Sequence, residues 1–93
     1  MKRDDRVVVR DGVMFNRVGE EIVLLDLDSG TYFGLDSVGS RVWELVTGNA
    51  TIGEAIDAML DEYEVEREVL ERDVLLLVAE LEEKQLIRLS SRA

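Results

Sequence analysis

The hydrophobic pattern of this chain changes once, near residue 36, and this change limits the folds that the chain can adopt. Before it, short runs of β-forming residues alternate with glycine-containing turns; after it, apolar residues recur at the three- and four-residue spacing of helices. The chain has no proline and no Gly/Ser-rich linker, and its 93 residues suffice for one domain with one modest core. Strands followed by helices predict the α+β class.

Turn signals divide the first third of the chain into four short strands. Asp11-Gly12 and Gly19-Glu20-Glu21 are turns, and Asp28-Ser29-Gly30 has the length of a three-residue hairpin loop in which the glycine takes positive φ. Consecutive strands joined by such short turns pair as an antiparallel meander. The predicted strands are Val7–Val9, Val13–Val18, Ile22–Leu27 and Thr31–Leu35.

Three amphipathic helices are predicted after residue 36. The first is capped by Asp36 or Ser37 and ends before Gly48. The second opens at Thr51–Glu54, which has the spacing of a capping box. The third covers about residues 66–84 and is acid-rich in its first turns, as the helix dipole favours.

The third helix is more apolar than one buried face requires. Its expected core stripe repeats at i, i+4, i+7 and i+11 and consists of Leu70, Val74, Leu77 and Leu81. The run Val74–Ala79, however, is six consecutive apolar residues, which at about 100° per residue surround the helix. Either neighbouring elements bury the helix on most sides, or a partner fills a groove along one side of it. The candidate residues for that groove are Leu75 or Leu76 with the nearby Val69, Arg72 and Asp73.

The last predicted strand, Thr31–Leu35, carries neither a charge nor a proline. In a sequential meander it lies at an edge of the sheet, with unpaired N–H and C=O groups along one side. Such an unprotected edge favours the addition of a foreign strand. The alternative is that the edge is already covered by Val7–Val9 or by the apolar tail Leu86–Leu89, which is able to pair or pack back on the sheet.

Missing residue types exclude several classes of function. The chain has no His and no Cys, so it lacks an imidazole base, an imidazole or thiolate metal ligand and a disulfide. A catalytic site of carboxylates alone would need a pocket that a chain of this size barely encloses. We therefore predict no catalytic residue, no metal site and no cofactor. The absence of cysteine, of a secretory signal and of an apolar run of about 20 residues predicts a cytoplasmic protein that does not bind membranes.

The formal net charge of −10 constrains the partners of the chain. Affinity for nucleic acid depends mainly on Lys and Arg residues that neutralise phosphates, and here 21 acidic residues face 11 basic ones. A field of this sign repels nucleic acid and favours basic or neutral partners.

Several segments, taken in order, resemble the PqqD-like family, which supplies the recognition elements that bind leader peptides of ribosomally made natural products. The resemblance covers about residues 12–89. Two stretches, Gly30-x-Tyr32-Phe33-x-Leu35-Asp36 and Val38-Gly39-Ser40-x-Val42-Trp43, are most similar to the stand-alone recognition proteins of lasso peptide biosynthesis. The other matching segments are Val23–Leu27, Thr51–Ile56, Tyr63–Val65, Asp73-Val74 and Leu81–Ile87.

The resemblance implies a winged helix-turn-helix-like fold with a three-stranded antiparallel sheet followed by three helices. It also implies that a leader peptide adds as a further strand beside Thr31–Leu35, fills a groove against the third helix, and is presented to a separate leader peptidase and cyclase. The resulting candidate peptide-binding residues are Thr31, Tyr32, Phe33, Gly34, Leu35, Val69, Arg72, Asp73, Leu75 and Leu76. Two alternatives stay open, an acidic winged-helix transcriptional regulator and a PqqD-type chaperone for a radical SAM maturase.

Overall fold

The structure, a computed structural model, describes residues 2–90. Its strands and helices follow the predicted order, and their bounds lie within one or two residues of those expected from the sequence. In chain order the elements are β1 (Arg6–Val9), β2 (Val13–Val18), β3 (Glu21–Asp26), β4 (Thr31–Leu35), α1 (Ser37–Thr47), α2 (Ile52–Glu62), α3 (Arg67–Glu83) and β5 (Ile87–Ser90). The predicted α+β class, with a three-stranded antiparallel sheet and three helices, is confirmed.

The three-stranded sheet has the order β2-β3-β4, so that β3 is central and β2 and β4 are the two edges. In its register Leu24 lies opposite Phe15 on one side and Phe33 on the other. Leu24 is fully buried, which places this row of side chains on the face that the helices cover. Gly30 closes the β3–β4 hairpin at φ 73°, as its position in the loop predicted.

The first and last strands form a separate two-stranded sheet. β1 pairs antiparallel with β5, with Val8 opposite Arg88 and Val9 opposite Ile87. The valine run therefore does not cover β4. Pairing of the valine run with β4 would have obstructed the candidate peptide-binding site. The apolar C-terminal tail does pair, as the sequence allowed, but its partner is β1 and not the three-stranded sheet.

Local capping signals fix where the first two helices begin. The Asp36 carboxylate accepts a hydrogen bond of 2.7 Å from the Gly39 N–H. At α2, Thr51 and Glu54 form the reciprocal capping box that their spacing predicted. The Ser40 hydroxyl is buried between α1 and the sheet, where it accepts from the Ile22 N–H at 2.8 Å and donates to the Leu35 carbonyl at 3.2 Å. These bonds hold the start of α1 against the end of β4.

α1 packs on one face of the three-stranded sheet, and α2 and α3 pack on α1 and on each other to enclose the core. Trp43 of α1 is buried and meets the Phe15 ring edge-on, with ring centroids 5.2 Å apart. On the surface, the Arg41 guanidinium donates two hydrogen bonds of 2.8 and 2.7 Å to the Glu62 carboxylate and so joins α1 to α2. Within residues 2–90, no helix combines the length and apolar character needed to cross a bilayer.

The buried face of α3 differs from the predicted stripe by one residue. The buried residues of the helix are Leu70, Val74, Val78 and Leu81, whereas the expected Leu77 is only partly buried. The prediction was wrong at this position because α3 packs against α1, α2 and β5 together, so that Val78 replaces Leu77 on the buried face while the other three positions are as predicted. Leu77 lies at the border between the core and an open groove.

Candidate functional site

An open groove of about 590 Å³ runs between β4 and α3, with the start of α1 at one end. Its wall on the sheet side is the end of β4, where Phe33 is partly buried and Leu35 is buried. Its floor and remaining walls are apolar except for three residues. The principal apolar side chains are Val38, Val42, Val65, Val69, Leu76 and Leu77.

The β4 edge beside this groove is unpaired in the part of the chain that the structure describes. β4 pairs only with β3, so alternate residues direct their N–H and C=O groups away from the sheet. Phe33 and Leu35 point toward the helical layer, while Tyr32, which is 70% exposed, points to the opposite face. A Cβ added at Gly34 would meet nothing within 4 Å, so the space beside this residue is open.

One face of α3 forms the opposite wall of the groove. The residues Val69, Asp73, Leu76 and Glu80 line it at i, i+4, i+7 and i+11. Leu76 is 63% exposed, although it is apolar and lies in the middle of a helix. Such exposure of a large side chain beside an open backbone edge is typical of a surface that a partner covers.

The structure brings together six of the ten residues predicted from the sequence. Lining the groove are Phe33, Gly34, Leu35, Val69, Asp73 and Leu76. Thr31 and Tyr32 belong to the same edge strand but do not line the groove. Leu75 and Arg72 lie on another face of α3 and do not line it either. Of Leu75 and Leu76, between which the sequence did not decide, only Leu76 lines the groove.

Sequence reasoning missed several residues that line the groove. Val38 lies four residues before the buried Val42 and so has the spacing of a helix core stripe, but it is exposed and faces the groove directly after β4. Glu80 also lines the groove. Its position could have been inferred, since it continues the series of Val69, Asp73 and Leu76 by four residues.

The charged residues of the groove are all acidic: Asp36, Asp73 and Glu80. A cation lies close by, since the Lys84 ammonium is 5.7 Å from the centre of the Phe33 ring, but Lys84 does not line the groove. Within residues 2–90 there is no cluster of acidic or other ligating side chains arranged to hold a metal ion. The groove therefore combines largely apolar walls with three acidic side chains.

The model of the family "Coenzyme PQQ synthesis protein D (PqqD)" matches residues 21–87. The chain belongs to the PqqD family. The matched region contains every residue that lines the groove and excludes β1 and β2. The family resemblance predicted from the sequence is thus confirmed.

Two solved structures share the fold of this chain. One is TbiB1 in complex with the TbiA(beta) leader peptide, with 41% identity over 87% of this chain and 94% of that chain and a TM-score of 0.83. The other is a lasso peptide synthetase B1 complexed with the leader peptide, with 27% identity over 91% of this chain and 98% of that chain and a TM-score of 0.81. No curated protein sequence matches the chain.

Proposed function

We propose that this chain binds the leader peptide of a lasso peptide precursor by adding it as a strand to the free edge of β4. The observation that carries the proposal is the position of an unpaired backbone edge directly beside an open apolar groove. Two proteins of the same fold have been solved with leader peptides bound, which supports the same ligand class for this chain.

The two walls of the groove have different tasks in this proposal. The β4 backbone supplies main-chain hydrogen bonds that set the register of the peptide, and the pockets beside Phe33, Val69 and Leu76 accept alternate side chains and supply selectivity. The peptide-binding set therefore comprises Thr31–Leu35 with Val69, Asp73 and Leu76, and Arg72 and Leu75 flank it.

We infer further that the module is not a catalyst and acts in the cytoplasm. The chemistry belongs to a separate leader peptidase and a separate cyclase. Holding the leader raises the effective concentration of the precursor at those enzymes and orients it there. Such a role needs an affinity between micromolar and nanomolar, or about 8 to 12 kcal/mol.

A direct titration tests the proposal. The pure protein is added to fluorescein-labelled leader peptides, starting with the TbiA(beta) leader and the leader of the chain's own precursor, and the anisotropy is followed. We expect saturable binding in the micromolar range or tighter. Control peptides with the same residues in scrambled order should not bind. If neither leader binds at concentrations far above micromolar, the proposal fails.

The family match favours one further candidate within the same mode of binding. A PqqD-type protein that serves a radical SAM maturase would hold a different precursor peptide in the same groove. Competition between a lasso leader and a maturase substrate peptide separates the two. A DNA-binding regulator, the alternative from another class, predicts a retarded band in a gel shift at low salt, whereas a net charge of −10 predicts none.

A further inference from the structure

We propose that the groove selects peptides in which a Lys or Arg residue lies two positions from an apolar anchor, because Asp73 and Glu80 are placed to pair with it. This inference rests on the proposed leader binding and specifies the chemistry of the leader. Asp73 and Glu80 then act as specificity-determining residues, and the apolar pockets alone do not define the ligand.

The sign of the charge in the groove is uniform. Its three charged lining residues are Asp36, Asp73 and Glu80, and all the other lining residues are apolar or glycine. The rest of the chain adds to the same sign, since its formal net charge is −10. An extended peptide that enters this groove with an acidic residue against α3 meets like charges, while a basic residue meets opposite ones.

The carboxylates on α3 are available for an incoming cation. In the described part of the chain, no basic side chain forms an ion pair with Glu80. Asp73 has only a long contact of 3.7 Å with the Arg72 guanidinium, and both side chains are largely exposed. Such a pair contributes little and is easily exchanged. Asp36 is different, because one of its oxygens already accepts from the Gly39 N–H at the helix start.

The order of residues along α3 matches the repeat of an extended peptide. Apolar and acidic side chains alternate along the groove in the order Val69, Asp73, Leu76, Glu80. At a rise of about 1.5 Å per residue, each apolar residue is followed by a carboxylate about 6 Å further along the helix. Side chains on one face of a strand repeat at about 6.6 Å. A peptide with an apolar residue and a basic residue two positions apart therefore places each opposite a matching group.

Matched charge variants test the inference. Asp73→Asn and Glu80→Gln each remove one negative charge from the groove wall, and Glu82→Gln removes one from the opposite face of the same helix. The probes are the labelled leader that binds the wild-type protein best, and versions of it with each Lys or Arg near the apolar anchors changed to Gln or to Glu.

We expect Asp73→Asn and Glu80→Gln each to weaken binding about two- to fivefold at low salt, the range for exposed ion pairs. The effect should disappear with the peptide that lacks the paired cation, and it should shrink at high salt. Glu82→Gln should leave the affinity unchanged within error. Circular dichroism serves as the folding check for each variant.

Three outcomes would overturn the inference while leaving leader binding intact. They are an equal loss with Glu82→Gln, no loss with either groove variant, and a best-binding leader that has no basic residue near its apolar anchors. By contrast, a wild-type protein that binds no leader at all overturns the proposed function itself, and this inference with it.

Discussion

The adjacent residues Leu75 and Leu76 have the same side chain, but only Leu76 lines the groove. Leu76 is 63% exposed on the groove wall, whereas Leu75 is 39% exposed on another face of α3. We expect Leu76→Asp to weaken leader binding about tenfold or more, because burying a leucine side chain contributes about 1.5 to 3 kcal/mol and a buried carboxylate adds a cost. Anisotropy titration measures the change.

Leu75→Asp is the matched control for this prediction. It introduces the same charge one position away, and we expect it to change the affinity less than twofold, with both variants retaining the helical circular dichroism of the wild type. Equal losses in the two variants would mean that the leader does not enter the groove. Phe33→Asp is a less specific test, because the Phe33 ring packs against the core as well as lining the groove.

At the scale of single residues, the sequence predicted that α3 has surplus apolar side chains, but it did not predict which of them would line the groove. The apolar run Val74–Ala79 indicated that some leucine was in excess, but the choice between Leu75 and Leu76 depends on where α1, α2 and β5 pack around α3. The same long-range packing exchanged Leu77 for Val78 in the core. Helix periodicity alone contains no information about it.

The edge strand β4 allows a test of the backbone contribution. We expect Gly34→Pro to weaken leader binding about fivefold or more, because proline removes an edge donor and its ring obstructs an incoming strand. Gly34→Ala is the control, since a Cβ at this position meets nothing within 4 Å. The proposal of strand addition would be contradicted if the proline variant stayed folded and bound the leader as tightly as the alanine variant.

A surface contact between helices gives a prediction about pH. Hydrogen bonds from Arg41 lower the pKa of Glu62 below its ordinary 4.5. A carboxyl whose pKa is lower in the folded state stabilises the fold above the unfolded-state pKa, and this contribution is lost as the pH falls through the folded-state value. We expect the urea midpoint to fall less between pH 7 and pH 3 in Glu62→Gln than in the wild type. An unchanged pH dependence would show that the pair does not contribute.

Elements that depend on local signals were predicted accurately. The starts of α1 and α2 follow from Asp36 and from the Thr51–Glu54 capping box, which act over three residues. The partner of β1 did not follow in the same way. The turn at Asp11-Gly12 predicted β2 as its neighbour in the meander, which was wrong: β1 pairs with β5, a strand near the other end of the chain that no local pattern indicates.

At the scale of the whole molecule, both sheets contribute to the core, but only the three-stranded sheet borders the groove. β1 and β5 pair with each other and contribute the buried Ile87 to the core, but neither strand lines the groove. The three-stranded sheet keeps two edges, β2 and β4, with which no other strand of the described residues pairs. Only the β4 edge lies next to α3, so only there does an added strand also bury apolar side chains.

Amide hydrogen exchange tests this asymmetry, with β2 as an internal control. Edge amides without a partner exchange rapidly in the free protein, and a bound strand that accepts their hydrogen bonds slows them. We expect a saturating leader peptide to slow exchange in Thr31–Leu35, while the outer amides of Val13–Val18 stay fast. The amides of the core, which exchange only by global unfolding, should also exchange more slowly, because any ligand of the folded state reduces global unfolding. This general effect is separate from the protection of the edge amides. Protection gained by the fast amides of β2 in place of those of β4 would show that the peptide adds at the opposite edge, where no groove receives its side chains.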